Sequence, residues 1–205
     1  MTSENSTANE IAATAARLVV EEGMEYGPAK QRALKVLGLS RNSRAALPSN
    51  DALEDEVRDY LALFCADTQP AEQAALRELA AEWMARLTEF RPYLCGAVWR
   101  GTATRLNNIH LQLYCDDSKS AEIALINLGL DYEVGAIQGS KGGRGRDIDV
   151  LSLAVMSRPL GELVTIHLSI LDFDDLRGAL KQDARGRSER GDLAALRKLM
   201  VEQQP

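Results

Sequence analysis

Histidine and cysteine are scarce in this chain, and the scarcity narrows its chemistry. Its 205 residues include three cysteines, Cys65, Cys95 and Cys115. The number is odd and no two stand in close C-x-x-C spacing. That argues against a disulfide framework or a zinc knuckle, and a reduced, cytoplasmic compartment is the simplest expectation. Only two histidines occur, His110 and His167, and no Ser–His–Asp or Cys–His order can be read from spacing. No apolar run approaches the ~20 residues of a membrane-spanning helix, so no membrane partner is expected. The opening "MTSENSTANE" has neither a basic nor an apolar region, so no secretory signal is visible. There is no internal repeat and no G-x-x-x-x-G-K-[ST] phosphate loop. A formal net charge of −6 argues against a protein that wraps a polyanion over its whole surface, and leaves local basic patches open.

What is present is ordinary globular composition, with 45% hydrophobic and 26% charged residues, enough for one large or two small domains. Residues 1–7 read as a disordered tail. Apolar positions then recur at helical spacing: Ile11, Ala15, Leu18 and Val19, with Gly23 as the stop. Pro28 suits the first turn of a second helix carrying Ala33, Leu34 and Leu37, ended by Gly38. Asn50 is expected to cap a third helix with Leu53, Val57, Tyr60 and Phe64 inward. A fourth places Leu76, Leu79, Trp83, Leu87 and Phe90 on one stripe. These give a helical module over 8–66, followed by a second domain over 67–205.

After Pro92 the period changes from 3.6 to 2. "YLCGAVW" reads as a short apolar strand, and "NIHLQLY" as an alternating one with Asn108, His110, Gln112 and Tyr114 on its polar face. Ser118 to Leu128 reads as a helix stopped by Gly129. "DYEVGAIQ", "DIDVLSLAVM" and "LVTIHLSIL" read as strands, with helices near 172–181 and 192–202. The fold class is therefore α+β, a helical module followed by a mixed sheet with flanking helices.

The stretch "CGAVWRGTATRLNNIHLQL" resembles the signature of the minimal nucleotidyltransferases of the DNA-polymerase-β-like superfamily, roughly F-G-S-x-A-R-G-x-A-x-x-x-S-D-I-D-L. Laid on it without a gap, the Gly-Ser turn falls on Gly96 and Ala97 and the Arg-Gly pair on Arg100 and Gly101. The Ser-Asp-Ile-Asp-Leu run falls on Asn107, Asn108, Ile109, His110 and Leu111. The resemblance implies a nucleotidyltransferase-like sheet domain, with Gly96, Ala97 and Arg100 toward the nucleotide and Asn108 and His110 at the catalytic positions. A third metal acid on a later strand is imitated by "IDV", which nominates Asp149. Nucleotidyl transfer needs two Mg²⁺ ions, about 3.5–4 Å apart, clamped by carboxylates. Asn108 and His110 remove two of those charges, and imidazole suits later transition metals better than Mg²⁺. The resemblance thus implies a degenerate site that binds Mg²⁺ or Mn²⁺ with a nucleotide weakly at best, a pseudoenzyme binding nucleotide, RNA or protein.

Other readings stand beside it. An active enzyme would draw its acids from Asp116, Asp147 and Asp149, or hold another metal through His110, His167 and Asp149. The loop "GSKGGRGR" offers Lys141, Arg144 and Arg146 either as a phosphate cradle or as a plain hairpin connection. Arg177, Lys181, Arg185, Arg187 and Arg190 add cations near the C-terminus. Lys30, Arg32, Lys35, Arg41 and Arg44 cluster around the second helix, as a nucleic-acid contact or a solvated face. In the remaining reading the helical module serves a protein partner.

Overall fold

The computed structural model describes residues 2–40, 47–115, 117–137, 147–176 and 186–202. The chain divides into two compact units. One holds Met1–Gln73 with Thr102–Asn107, and the other holds Ala74–Gly101 with Asn108–Pro205. The short segment that follows Gly101 belongs with the first unit. No described helix is long and apolar enough to cross a membrane.

The first unit is built on α1 (Thr2–Glu22), α2 (Tyr26–Val36) and α3 (Asn50–Phe64). Ile11, Ala15, Val19, Ala33, Leu34, Leu53 and Val57 form its core, as their helical spacing requires. α1 begins at Thr2, so the stretch expected to be disordered is helical from its second residue. Once the buried turns at Ile11 and Ala15 are nucleated, each further turn costs little. The cap of α3 is Ser49 and not Asn50. The Ser49 hydroxyl accepts from the Ala52 amide at 3.0 Å, while Asn50 Oδ1 accepts from Lys30 Nζ at 2.7 Å. Phe64, expected inward, is 69% exposed and lies beside Tyr60 with ring centroids 4.6 Å apart.

Residues 102–107 join this unit through hydrogen bonds that the motif outline does not suggest. Gln69 Nε2 donates to the Ala103 carbonyl and the Ala103 amide donates to Gln73 Oε1, both at 2.9 Å. The Arg105 amide donates to Glu72 Oε2 at 3.0 Å, and the Thr104 amide to Asn107 Oδ1 at 2.8 Å. A segment without regular structure is thereby kept from burying unpaired backbone groups.

The second unit is α+β. α4 (Gln69–Arg86) leads through a 3₁₀ turn at Thr88–Phe90 into six strands. These are β1 (Tyr93–Cys95), β2 (Ile109–Tyr114), β3 (Glu133–Ile137), β4 (Ile148–Ser157), β5 (Glu162–Leu171) and β6 (Arg190–Gly191). Their order in the sheet is β3-β4-β5-β2-β1-β6. Only β2 and β5 run parallel, and the other neighbours are antiparallel. Helices α5 (Gly96–Arg100), α6 (Ser118–Asn127) and α7 (Leu193–Glu202) complete the unit. One sheet face carries Leu94, Ile109, Leu111, Leu113, Leu151, Leu153, Ile166 and Leu168, all buried.

Two local readings are corrected. "YLCGAVW" is a strand for three residues only. Gly96 takes φ +74°, and the chain turns at once into the five-residue helix α5. An apolar run of this length is compatible with strand or helix, and the left-handed glycine decides between them. The polar stretch before α7, read as loop, contains β6. It is two residues long, with Arg190 paired with Cys95 and Gly191 with Leu94.

Candidate functional site on the polar sheet face

Alternation along β2 turns His110 and Gln112 away from the core, as the sequence requires. The registers extend this face across the whole sheet. Arg190 pairs with Cys95, Cys95 with His110, His110 with His167, His167 with Ser152, and Ser152 with Glu133. One lateral row therefore carries a guanidinium, a thiol, two imidazoles, a hydroxyl and, at the far edge, a carboxylate.

At the centre of the row the two imidazole rings lie 5.0 Å apart between centroids, tilted by 32°. His167 is gripped at both nitrogens, with Ser152 Oγ 2.8 Å from Nδ1 and Asn108 Nδ2 3.1 Å from Nε2. The Asn108 amide donates to Nε2 as placed, so the neutral ring carries its proton on Nδ1 and donates to Ser152. Gly96 sits directly over His110. A Cβ added there would lie 3.5 Å from His110 Cδ2 on a backbone already at φ +74°.

A second row runs beside the first. Arg190 Nη1 donates to Gln112 Oε1 and, at 3.2 Å, to the Tyr114 hydroxyl, which itself donates to Gln112 Oε1 at 3.1 Å. Tyr93 meets Tyr114 edge-on with centroids 5.6 Å apart. Burial pushes the Tyr114 hydroxyl up from its ordinary range, against the pull of the Arg190 guanidinium. Arg190 thus spans β1 to tie β6 to β2, a positioning role that a run of arginines in sequence does not reveal.

The structure brings Gly96, Asn108, His110 and His167 together. Asp149 does not join them. It lies an odd number of residues from Ser152 on an unbroken strand, so its side chain leaves the opposite face, and it is exposed. The position beside His110 on the neighbouring parallel strand belongs to His167. The two-histidine, one-carboxylate arrangement through Asp149 is therefore not formed. Ala97 and Arg100 lie on α5, where the Ala97 carbonyl accepts from the Gly101 amide at 2.9 Å. Lys141, Arg144, Arg146 and Asp116 lie outside the described residues, as do Arg41, Arg44, Arg177, Lys181 and Arg185. In the helical unit Lys30 donates to the Pro48 carbonyl at 2.8 Å, and Arg32 pairs with Glu22 at 2.7 Å in an exposed ion pair.

This donor set does not fit Mg²⁺ or Mn²⁺. Both want a cradle of oxygens with negative charge, and the face offers two imidazoles, an amide and a hydroxyl. Among the described residues no group of three His, Cys, Asp or Glu side chains could hold a metal ion. The arrangement can instead donate hydrogen bonds and, when an imidazole is protonated, positive charge.

Sequence reading missed one further residue of consequence. Arg77, on α4 and 3% exposed, donates through Nε to the Val98 carbonyl and through Nη2 to the Trp99 carbonyl, both at 3.1 Å. It caps the C-terminal end of α5 and so holds the helix whose first residue faces His110.

No family model matches the chain, and no curated protein matches it. Among solved structures the chain is similar to the Cid1 poly(U) polymerase with MgGTP bound, at a TM-score of 0.34 and 12% identity. It is also similar to Cid1 in complex with the UTP analogue UMPNPP, at 0.32 and 12%. Each likeness covers 48% of this chain, and the chain spans 32% and 30% of the length of the two solved chains.

Proposed function

We propose that the sheet unit is a nucleotidyltransferase-like domain that binds a nucleotide on its polar face and has lost two-metal transfer. The observation that carries the reading is the meeting of Asn108, His110 and His167 on adjacent strands. The sequence motif calls for carboxylates at the first two of these positions. The Gly96 turn lies against the same residues, as a nucleotide-binding turn would. With amide and imidazole in place of carboxylate, the Coulombic cradle for two divalent cations is missing and the face favours an anion instead. The helical unit supports an accompanying role in protein binding, since Leu63 and Phe64 at the end of α3 are 76% and 69% exposed.

Calorimetry with ATP, CTP, GTP and UTP, with Mg²⁺ and with EDTA, tests the reading. Saturable binding of at least one nucleotide in EDTA is the expected outcome, together with no incorporation of labelled nucleotide into RNA or protein. Mg²⁺-dependent incorporation, or the absence of binding under every condition, would contradict it.

A further inference from the structure

We infer that the outer edge of β3 is a self-association surface, where two copies of this chain pair as antiparallel neighbours about a two-fold axis at Gly135. The inference is independent of what the polar face binds.

β3 ends the strand order, and its five residues pair in unbroken register with β4 alone among the described residues. All five, Glu133 to Ile137, are exposed, Val134 by 63% and Ile137 by 51%. An edge strand presents a row of backbone N–H and C=O groups that another strand can satisfy, and proteins that stay single blunt such an edge with lysine, proline or a bulge. β3 carries no lysine, no proline and no bulge, and its one charge is Glu133 at its first position. The chain leading into it is apolar on the outside as well, with Ile123 and Ile126 on α6 and Leu128 just beyond 55%, 60% and 51% exposed.

The pattern of the edge itself selects a second copy as its occupant. Two-fold pairing within one continuous sheet keeps each face on its own side, so one residue must meet its own counterpart on the axis. With Gly135 there, Val134 faces the partner's Ala136 on one side of the sheet, and Glu133 faces the partner's Ile137 on the other. No like charges stand opposed. The two Glu133 carboxylates lie four residues apart along the strands, about 13 Å, which exceeds the ~8 Å screening length at physiological salt. Centring the pair on Val134 would halve that separation and put two branched side chains on the axis. The contact also closes on itself. The other edge of the sheet is β6, only two residues long, so β3 finds no second long edge to extend the array and association stops at two copies.

Sedimentation equilibrium of the full chain tests this, over about 1 µM to 1 mM, the range suited to a small interface. The expected result is a monomer–dimer equilibrium with no larger species. Gly135→Lys sets two ammonium groups face to face across the axis, and should weaken association about three- to tenfold. Its Cβ has room in the single chain, since the nearest atom would be the Val150 carbonyl oxygen at 3.9 Å. Gly135→Glu should weaken association likewise, and an equimolar mixture of the two variants should associate more tightly than either alone. Circular dichroism reports whether each variant is folded. Hydrogen exchange of the unaltered chain needs no variant: amides within 133–137 should exchange more slowly at high protein concentration than at low. A chain that stays single throughout, species that grow beyond two copies, exchange at 133–137 that ignores concentration, or folded variants whose mixture gains nothing would each overturn the inference.

Discussion

Arg77→Met is expected to destabilise the sheet unit by about 3 kcal/mol, since hydrogen bonds from a charged donor contribute about 1.5–3 kcal/mol each and orphaned buried carbonyls cost about 1–3 kcal/mol. Arg77 is a buried guanidinium whose Nε and Nη2 reach the Val98 and Trp99 carbonyls. Methionine keeps the aliphatic volume and removes the donors, leaving both carbonyl oxygens facing a thioether. Losing the buried charge recovers part of its desolvation cost, which is why the figure stays below the sum of the bonds. The neighbouring Gly101, at φ +81°, offers no relief. Its absent Cβ would lie 3.3 Å from Arg77 Nη2, so the arginine fills the space beside it. Thermal unfolding followed by circular dichroism should show a lowering of roughly 6–12 °C, because 1 kcal/mol corresponds to about 2–4 °C at this chain length. An unchanged midpoint would mean that α5 is held by something other than this cap.

Gly191→Ala is expected to cost about 2–3 kcal/mol, in the upper range for overpacking. A Cβ at this position would lie 2.1 Å from Trp99 Cη2 and 2.3 Å from Cζ3. The indole cannot slide away freely, since its Nε1 donates to the Ser188 carbonyl at 2.7 Å. Either the ring leaves that hydrogen bond or β6 withdraws from β1, where Gly191 pairs with Leu94. If β6 withdraws, Arg190 loses its hold on Gln112 and Tyr114, so the polar face should loosen with it. Urea unfolding and the quenching of Trp99 fluorescence measure both effects. Parent-like stability would show that Trp99 has another rotamer at little cost.

The helical stripes were legible because their cause is local. Ile11, Ala15, Val19, Leu76, Leu79 and Trp83 recur at the helical period, and each is buried where that period puts it. The strands carrying His110 and His167 were legible for the same reason, since alternation decides the face within the strand itself. What could not be read is set by register between distant segments. Asp149 sits in an "IDV" triplet that looks like a metal-binding strand. Its face is fixed by the pairing of Ser152 with His167, which no local pattern encodes. His167 was visible as a polar-face histidine, but its place beside His110 needs the parallel pairing of β2 with β5. Arg77 was hidden for a different reason. A charged residue within a helical stripe reads as solvated, and only its buried position beside the end of α5 shows what it does.

The account turns on the identity of one face: that the side chains of Asn108, His110 and His167 occupy the ground where a carboxylate cradle would stand. The most direct test is to restore the acids. The variant Asn108→Asp/His110→Asp/His167→Asp is titrated with Mg²⁺ by calorimetry beside the unaltered chain and the double variant Asn108→Asp/His110→Asp, with folding followed by circular dichroism. The account predicts saturable Mg²⁺ binding in the triple variant, weaker binding in the double variant, and none in the unaltered chain. A folded triple variant that binds no Mg²⁺, or an unaltered chain that already does, would contradict it.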